Sequence, residues 1–315
     1  MKLISGSHVH EKILALMLII ALTVLSMLTD KFMTVANILN QGRLIAEIGL
    51  VALPMTLIIV TGGIDLAVGS VLGLCAIVLG LAWKSLGLPL GAAMAVAVAV
   101  GALAGCFNGL LITRMRVPPL ITTLATLALF RGVAEGLSQA RSVRGYPEWF
   151  FFLGQGEIAG IPVQVIILVA MTVLFWFLLA KTTLGRSLYA IGSNEVAARY
   201  SGIAVDRVKV LAYGLSGLMA GLAAVIFVSR VSTTRSDMGT GLELDVIAAV
   251  VLGGTSIFGG RGTIVGTILG FLLIGLLKNG LALTGVKGDA TIVVIGLVLI
   301  LAILASNLVE RLRDG

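Results

Sequence analysis

Apolar residues in this chain come in long blocks separated by short polar stretches. Ten blocks stand out, at about 13–29, 44–60, 66–83, 89–112, 119–139, 163–180, 209–228, 244–257, 263–280 and 290–308. A bilayer core about 30 Å thick takes roughly 20 apolar residues as helix. Hydrocarbon offers no water to satisfy backbone polar groups, so each block is predicted to be helical. Some blocks are short or interrupted: 44–60 carries Pro54, and 244–257 stops early. Tilted, broken or re-entrant helices fit these as well as straight spans. The expected fold class is all-α, a polytopic transmembrane helical protein of about ten membrane-embedded helices, forming a single domain over residues 1–315.

Composition narrows this. Hydrophobic residues make up 58% of the chain and Asp, Glu, Lys and Arg only 12%, against roughly 25% charged in an ordinary soluble domain. So few charges cannot cover a soluble surface, which excludes a cytosolic enzyme, a disordered chain and a disulfide scaffold. The 40 glycines suit helices whose backbones approach closely in a bilayer. Cys75 and Cys106 both fall inside apolar blocks and read as small core residues. The first block follows Lys2 and Lys12, but no small-x-small cleavage site comes after it. It is expected to remain as an uncleaved first span.

The net charge is +7. No basic run with interleaved aromatics exists, so nucleic acid is not an expected partner. The charge reads instead as Lys and Arg sorted to the cytoplasmic side. With the N- and C-termini inside, more than half of the 22 Lys and Arg fall on that side, most densely in the loop 181–209 and at the C-terminus. Trp83, Trp149 and Trp176 lie near block ends, as interfacial anchors do. The outer loop 140–162 carries Tyr146-Pro147-Glu148-Trp149-Phe150-Phe151-Phe152, which fits a short amphipathic segment on the membrane face.

A segment recurs. Gly62-Gly63-Ile64-Asp65-Leu66-Ala67-Val68-Gly69-Ser70-Val71-Leu72-Gly73 matches Gly259-Gly260-Arg261-Gly262-Thr263-Ile264-Val265-Gly266-Thr267-Ile268-Leu269-Gly270, with the identities at the two leading glycines, Val68/Val265, Gly69/Gly266, Leu72/Leu269 and Gly73/Gly270. Both copies follow one apolar block and open the next, so the fold is expected to contain two related halves whose Gly-interrupted segments point to a pathway. The block count makes the repeat parallel; one miscounted block would make it inverted. Gly62, Gly63, Gly69, Gly259, Gly260 and Gly266 are therefore pathway or packing candidates. The pairs Gly69/Gly73 and Gly266/Gly270 each form a small-xxx-small face, as do Gly101/Gly105/Gly109 and Gly217/Gly221.

Asp65 stands at the border of two apolar blocks and admits two readings. It caps the helix over 66–83, or it is a functional carboxylate in the membrane. Arg131 and Glu135 are spaced to pair on one helical face. The chain holds no G-x-x-x-x-G-K-[ST], no H-E-x-x-H and no C-x-x-C, and its two histidines, His8 and His10, lie in the N-terminal tail. No catalytic residue, metal or cofactor is expected, and the chain is not an enzyme on its own.

Thr61-Gly62-Gly63-Ile64-Asp65-Leu66-Ala67-Val68-Gly69-Ser70 resembles the signature after the second span of ribose/arabinose-type permeases, the inner-membrane subunits of binding-protein-dependent ABC sugar importers. Agreement extends through Asn108-Gly109 and Pro118-Pro119-Leu120-Ile121-Thr122-Thr123-Leu124, through Gly185–Glu195 and Ala197–Ile203, and through Glu243-Leu244-Asp245-Val246-Ile247-Ala248-Ala249-Val250-Val251 with Gly253-Gly254-Thr255. Pro118-Pro119 and Arg261-Gly262-Thr263 depart from the family pattern without disturbing it.

The resemblance implies a transmembrane subunit that moves a monosaccharide or related polyol by alternating access. Its partners would be a separate ATP-binding subunit, a periplasmic sugar-binding protein and a second permease chain, identical or not. It further implies that 192–203 is a cytoplasmic coupling helix seated on the ATPase. The residues agree: Glu195 to Ala198 form helix well, Ser193 or Asn194 can cap it and Gly202 can end it. Gly192, Asn194, Glu195, Ala198, Arg199 and Gly202 are the coupling candidates. Glu243 and Asp245, after the polar loop 229–242, are candidates for docking the binding protein. The alternative is an ion-gradient-driven secondary transporter, which needs ionisable relays in the membrane; few are available here.

Overall fold

A computed structural model describes residues 3–139 and 141–286 and the single positions 290, 293, 296, 297 and 300. The predicted block 290–308 falls largely outside the described residues. The helices are α1 (Leu3–Leu28), α2 (Val35–Val60), α3 (Val68–Lys84), α4 (Leu90–Arg114), α5 (Pro119–Ser138), α6 (Glu148–Gln155), α7 (Val163–Lys181), α8 (Thr183–Ser193), α9 (Glu195–Tyr200), α10 (Val205–Val231), α11 (Leu242–Leu252) and α12 (Ile264–Leu283). Among the described residues seven of them, α1, α2, α4, α5, α7, α10 and α12, are long and apolar enough to cross a membrane. The protein is an all-α polytopic membrane protein.

Two predicted blocks become shorter helices. α3 has 17 residues, and α11 has 11 because Gly254, at φ +86°, turns the chain out of the helix. α2 is longer than its apolar block: Thr34 caps it by accepting from the Asn37 N–H, and the polar turn from Asn37 to Arg43 is helical too.

α2 is the axis of the bundle. Its residues from Ile45 to Val60 are buried almost without a break. α10 lies against α2, α3 and α4, and its contact with α4 is made by glycines. A Cβ at Gly217 would fall 2.0 Å from the Gly101 carbonyl oxygen, and one at Gly105 would fall 2.1 Å from that of Tyr213. These are the predicted small-residue faces, and they pack on each other. Around the axis, α1, α5 and α7 expose Leu16, Ile19, Leu120, Ile121, Val169 and Phe177, an apolar rim suited to lipid.

Both ends of the bundle carry connecting structure. At one end sit α8, α9, the α2–α3 turn and the α11–α12 loop. The α1 end joins them: His10 Nε2 lies 2.9 Å from the Leu252 carbonyl oxygen, and Thr263 Oγ1 donates to Glu11 at 2.7 Å. At the far end, β1 (Val143–Arg144) pairs antiparallel with β4 (Thr233–Thr234), Val143 opposite Thr234, and β2 (Glu157–Ile158) pairs with β3 (Ile161–Pro162). α6 does not lie free there. It buries Phe150 and Gly154 against the last turn of α10, where Ser229 Oγ donates to the Phe150 carbonyl at 2.6 Å.

Candidate functional site

The loop predicted over 181–209 folds into the helix pair α8–α9. Asn194 caps α9: its Oδ1 accepts from the Ala197 N–H at 2.9 Å. At the other end Gly202, at φ +83°, closes the helix. Its N–H donates to the Arg199 carbonyl and that of Ile203 to the Ala198 carbonyl, each at 3.1 Å. This is a Schellman closure, completed by Ile203 packing beside buried Ala198. Glu195 sits in the first turn and Arg199 in the last, each favourable toward the helix dipole.

Ion pairs fix α9 to α10. Lys209 Nζ reaches Glu195 at 2.6 Å, and Arg199 reaches both Glu195 at 3.2 Å and Asp206 at 2.8 Å. Partial burial works against ionisation of Glu195, but hydrogen bonds and charge from Lys209 and then Arg199 outweigh it. The carboxyl is held below its ordinary 4.5. The side of α9 away from the bundle exposes Val196 at 64% and Tyr200 at 90%, four residues apart on one face, and Phe258 of the α11–α12 loop stands out at 92%. α9 is thus a short, doubly capped, braced helix with an apolar outer face.

Gly192 connects this pair to the core. A Cβ there would lie 1.8 Å from the Val60 carbonyl oxygen and 2.4 Å from the Gly260 nitrogen. Those two groups bond each other, Gly260 N–H donating to Val60 at 2.9 Å. Gly259 is equally close to the Gly192 carbonyl and the Gly62 nitrogen. Three main chains, from α8, the end of α2 and the α11–α12 loop, therefore meet with no side chain between them. Tyr189 adds a tie one turn back, donating to the Gly262 carbonyl at 2.6 Å.

The two matching segments meet at this junction, Gly62 beside Gly259 and Gly260 bonded to Val60 just before the first segment. Their helix ends match: Gly62 (φ +78°) ends α2 as Gly254 ends α11, each in a Schellman closure. The sequence match, however, pairs Gly62-Gly63 with Gly259-Gly260. The second connection is longer, and its glycine pair sits past the helix end, where it crosses to α2 and α8. Thr56 of α2 and Thr267 of α12 bond at 2.7 Å, both buried.

Asp65 is buried, but it is not the cap of α3, whose N-cap residue is Ala67. Its Oδ1 accepts from the Ala67 N–H and its Oδ2 from Ser216 Oγ on α10, both at 3.0 Å. It clamps the turn to α10. Tyr213 at 3.3 Å and Thr123 at 3.2 Å donate to the neighbouring Ile64 carbonyl, and Tyr213 Oη would be 2.7 Å from a Cβ at Gly63.

The downstream glycines serve two partners. On α12, a Cβ at Gly266 or Gly270 would fall 2.0 Å from the carbonyl oxygens of Gly253 or Ala249, on α11 and its end. On α3, Gly69 and Gly73 face the turn-rich segment 235–241 instead. A Cβ at Gly69 would lie 2.3 Å from the Gly239 oxygen, and one at Gly73 2.8 Å from that of Met238. The segment enters from β4 beside Gly80 and runs alongside α3. Arg131 donates to its Ser236 carbonyl and, at 3.0 Å, to that of Met238. Arg131 thus serves backbone acceptors that no helix satisfies, rather than Glu135 on its own helix.

Glu243 and Asp245 are not presented on an open surface. Both are half-buried. Glu243 accepts from the Gly241 N–H at 3.3 Å with its other oxygen against Gly69, and Asp245 pairs with Lys278 of α12 at 2.5 Å. Sequence spacing signalled α9 and the glycine faces. It did not signal Tyr189, Ser216, Lys278 or the bidentate Glu47–Arg230 pair, with contacts of 2.6 and 3.0 Å, because these partners are far apart along the chain.

Comparison with known proteins places this architecture. Residues 34–303 match the family described as branched-chain amino acid transport system / permease component. The ribose import permease protein RbsC of Bacillus subtilis (strain 168) is 46% identical over 91% of this chain and 89% of its own. RbsC of Escherichia coli (strain K12) is 41% identical over 95% and 93%. The autoinducer 2 import system permease protein LsrD of Yersinia enterocolitica is 37% identical over 95% and 92%. No solved structure gives a significant match.

Proposed function

The chain belongs to the branched-chain amino acid transport system / permease component family, and from that premise we propose that it is the transmembrane subunit of a binding-protein-dependent ABC importer. It carries a monosaccharide or related sugar or polyol across the bacterial inner membrane. The relatives named for ribose and autoinducer 2 import support the solute class. A separate ATPase supplies the work, a periplasmic binding protein delivers the solute, and a second permease chain completes the pathway. The α9 end faces the cytoplasm together with the chain termini, and the β1–β4 end faces outward.

One observation carries this reading: the exposed apolar face of α9 joins, through Gly192, a junction shared by both repeated segments. A push on α9 reaches α2, α3 and α12 together. In alternating access the two ends of the pathway must open in turn, and this junction lets a partner outside the membrane act on both copies at once. Gly192, Asn194, Glu195, Ala198, Arg199 and Gly202 are the coupling residues, and Gly62, Gly259 and Gly260 complete the junction.

The test is uptake of radiolabelled ribose into proteoliposomes holding the permease with and without its ATPase. ATP-dependent uptake that vanishes without the ATPase is expected. Uptake driven by a proton or sodium gradient alone would overturn the reading in favour of a secondary transporter. Within the complex, Glu195→Ala with Gly202→Pro should abolish ribose uptake and leave membrane insertion intact.

A further inference from the structure

The far half of the bundle holds a cavity of about 770 Å³ between α2, α10, α11 and α12, with the segment 233–240 forming one wall. Its charges cancel. Asp245 and Lys278 pair at 2.5 Å, as do Asp237 and Arg235, and Glu47 is held by Arg230 directly behind the wall. Between these pairs lie uncharged amides and hydroxyls, Asn40, Gln41 and Thr240 among them, and apolar patches at Ile48 and Phe227.

That composition discriminates between solutes. An ion entering the cavity would lose its water and find no free counter-charge among the described lining residues, since each of those charges already has one. A wholly apolar solute would cover amides and ion pairs without satisfying them. A neutral solute rich in hydroxyls meets neither cost. A hydroxyl both donates and accepts, so it can bridge the unused oxygen lone pairs of Asp245 and the unused protons of Lys278 without breaking their bond. Its C–H face can rest on Phe227 and Ile48. Pockets of roughly 300–1,000 Å³ enclose drug-sized ligands, so a small sugar would share this cavity with water. Loose holding of that kind suits a molecule in transit.

We propose that this cavity is a solute chamber for a neutral polyhydroxylated molecule, selected by a wall whose charges are self-compensated, with the Asp245–Lys278 pair as its principal hydrogen-bonding group. The proposal deepens the permease reading and rests on it, but its test does not depend on transport.

The test uses the assembled complex in proteoliposomes, carrying Thr240→Cys in a background with Cys75 and Cys106 changed to Ala. Modification of the new thiol is timed with neutral, cationic and anionic methanethiosulfonates. Ribose at high concentration should slow the neutral reagent at least threefold, while sodium chloride of equal osmolarity should not. Adding Lys278→Met leaves Asp245 unpaired; it should speed the cationic reagent and slow the anionic one, each severalfold. Asp245→Asn together with Lys278→Met should return both rates to those of the parent, a restoration that damaged folding would not give. Absence of protection by ribose, or reagent rates indifferent to both substitutions, would overturn the proposal. ATP-driven ribose uptake by the parent complex, measured on the same vesicles, reports separately on the permease reading.

Discussion

The two copies of the repeated segment use the same glycines against different neighbours. On α12, Gly266 and Gly270 seat the backbone of α11 and its end, a regular helix. On α3, Gly69 and Gly73 seat the segment 235–241, whose Ser236 and Met238 carbonyls rely on Arg131. The first contact joins two rigid rods. The second joins a rod to a strap held by its own turn hydrogen bonds, one guanidinium, Glu243 and a short β pair. A small-xxx-small motif therefore reports that a backbone comes close, and not what kind of backbone it is. The helical copy is suited to fix the architecture, and the copy beside the strap is suited to yield during transport.

The largest expected effect is one that strikes both copies. Gly192→Ala puts a methyl group on the Val60 carbonyl and the Gly260 amide, and ATP-driven ribose uptake should fall to background, at least a hundredfold. Near-normal uptake would remove the junction from the mechanism. Next, Gly270→Ala should destabilise the protein by about 3 kcal/mol, since neither helix backbone can give way. It should be read as lost yield and a lower thermal midpoint in detergent. Gly73→Ala should cost less than half of that, because its nearest atoms belong to the Arg131 side chain and the strap. Equal thermal losses in the two variants would erase the distinction between the copies.

A smaller effect is expected from Arg131→Met, which strands the Ser236 and Met238 carbonyls. Ribose uptake should drop a few-fold, and hydrogen exchange should quicken over 235–241 while α11 stays protected. Smallest is the contribution of Glu195 to α9. Its carboxyl is held below 4.5 in the fold, so its support is full above that pH and is lost as pH falls through the lowered value. For a surface pair this amounts to less than about 1 kcal/mol. Amide protection factors in α9, corrected for the intrinsic pH dependence of exchange, should be high at pH 7 and fall as pH drops well below 4.5, whereas Glu195→Gln should remove that fall. An unchanged acid response in that variant would assign it to another group.

Much of this was legible in the chain, for reasons that can be located. Blocks of apolar residues define helices because hydrocarbon enforces internal hydrogen bonding, and caps such as Asn194 and Gly202 are local chemistry. The length of α11 depended on which of several glycines takes positive φ. The block 244–257 contains two candidates and continues with Ile257, so the pattern ran past the stop at Gly254. The match of Gly62 with Gly259 was real as sequence, yet the helix ends correspond at Gly62 and Gly254, because the second connection is longer. Arg131 was expected to pair with Glu135 at helical spacing. It turned to backbone acceptors more than a hundred residues away, which no local pattern encodes.

The strap has one more consequence. Nearly everything that holds it addresses its main chain: glycines on one side, an arginine on carbonyls, a β pair at its entry. Its own side chains at Arg235, Asp237 and Thr240 are left to line the chamber. Frame and lining are thus separately inherited. Substitutions at those positions can re-tailor what the chamber accepts while the path of the chain stays put, so a single architecture could diversify its cargo by small steps, each of them foldable.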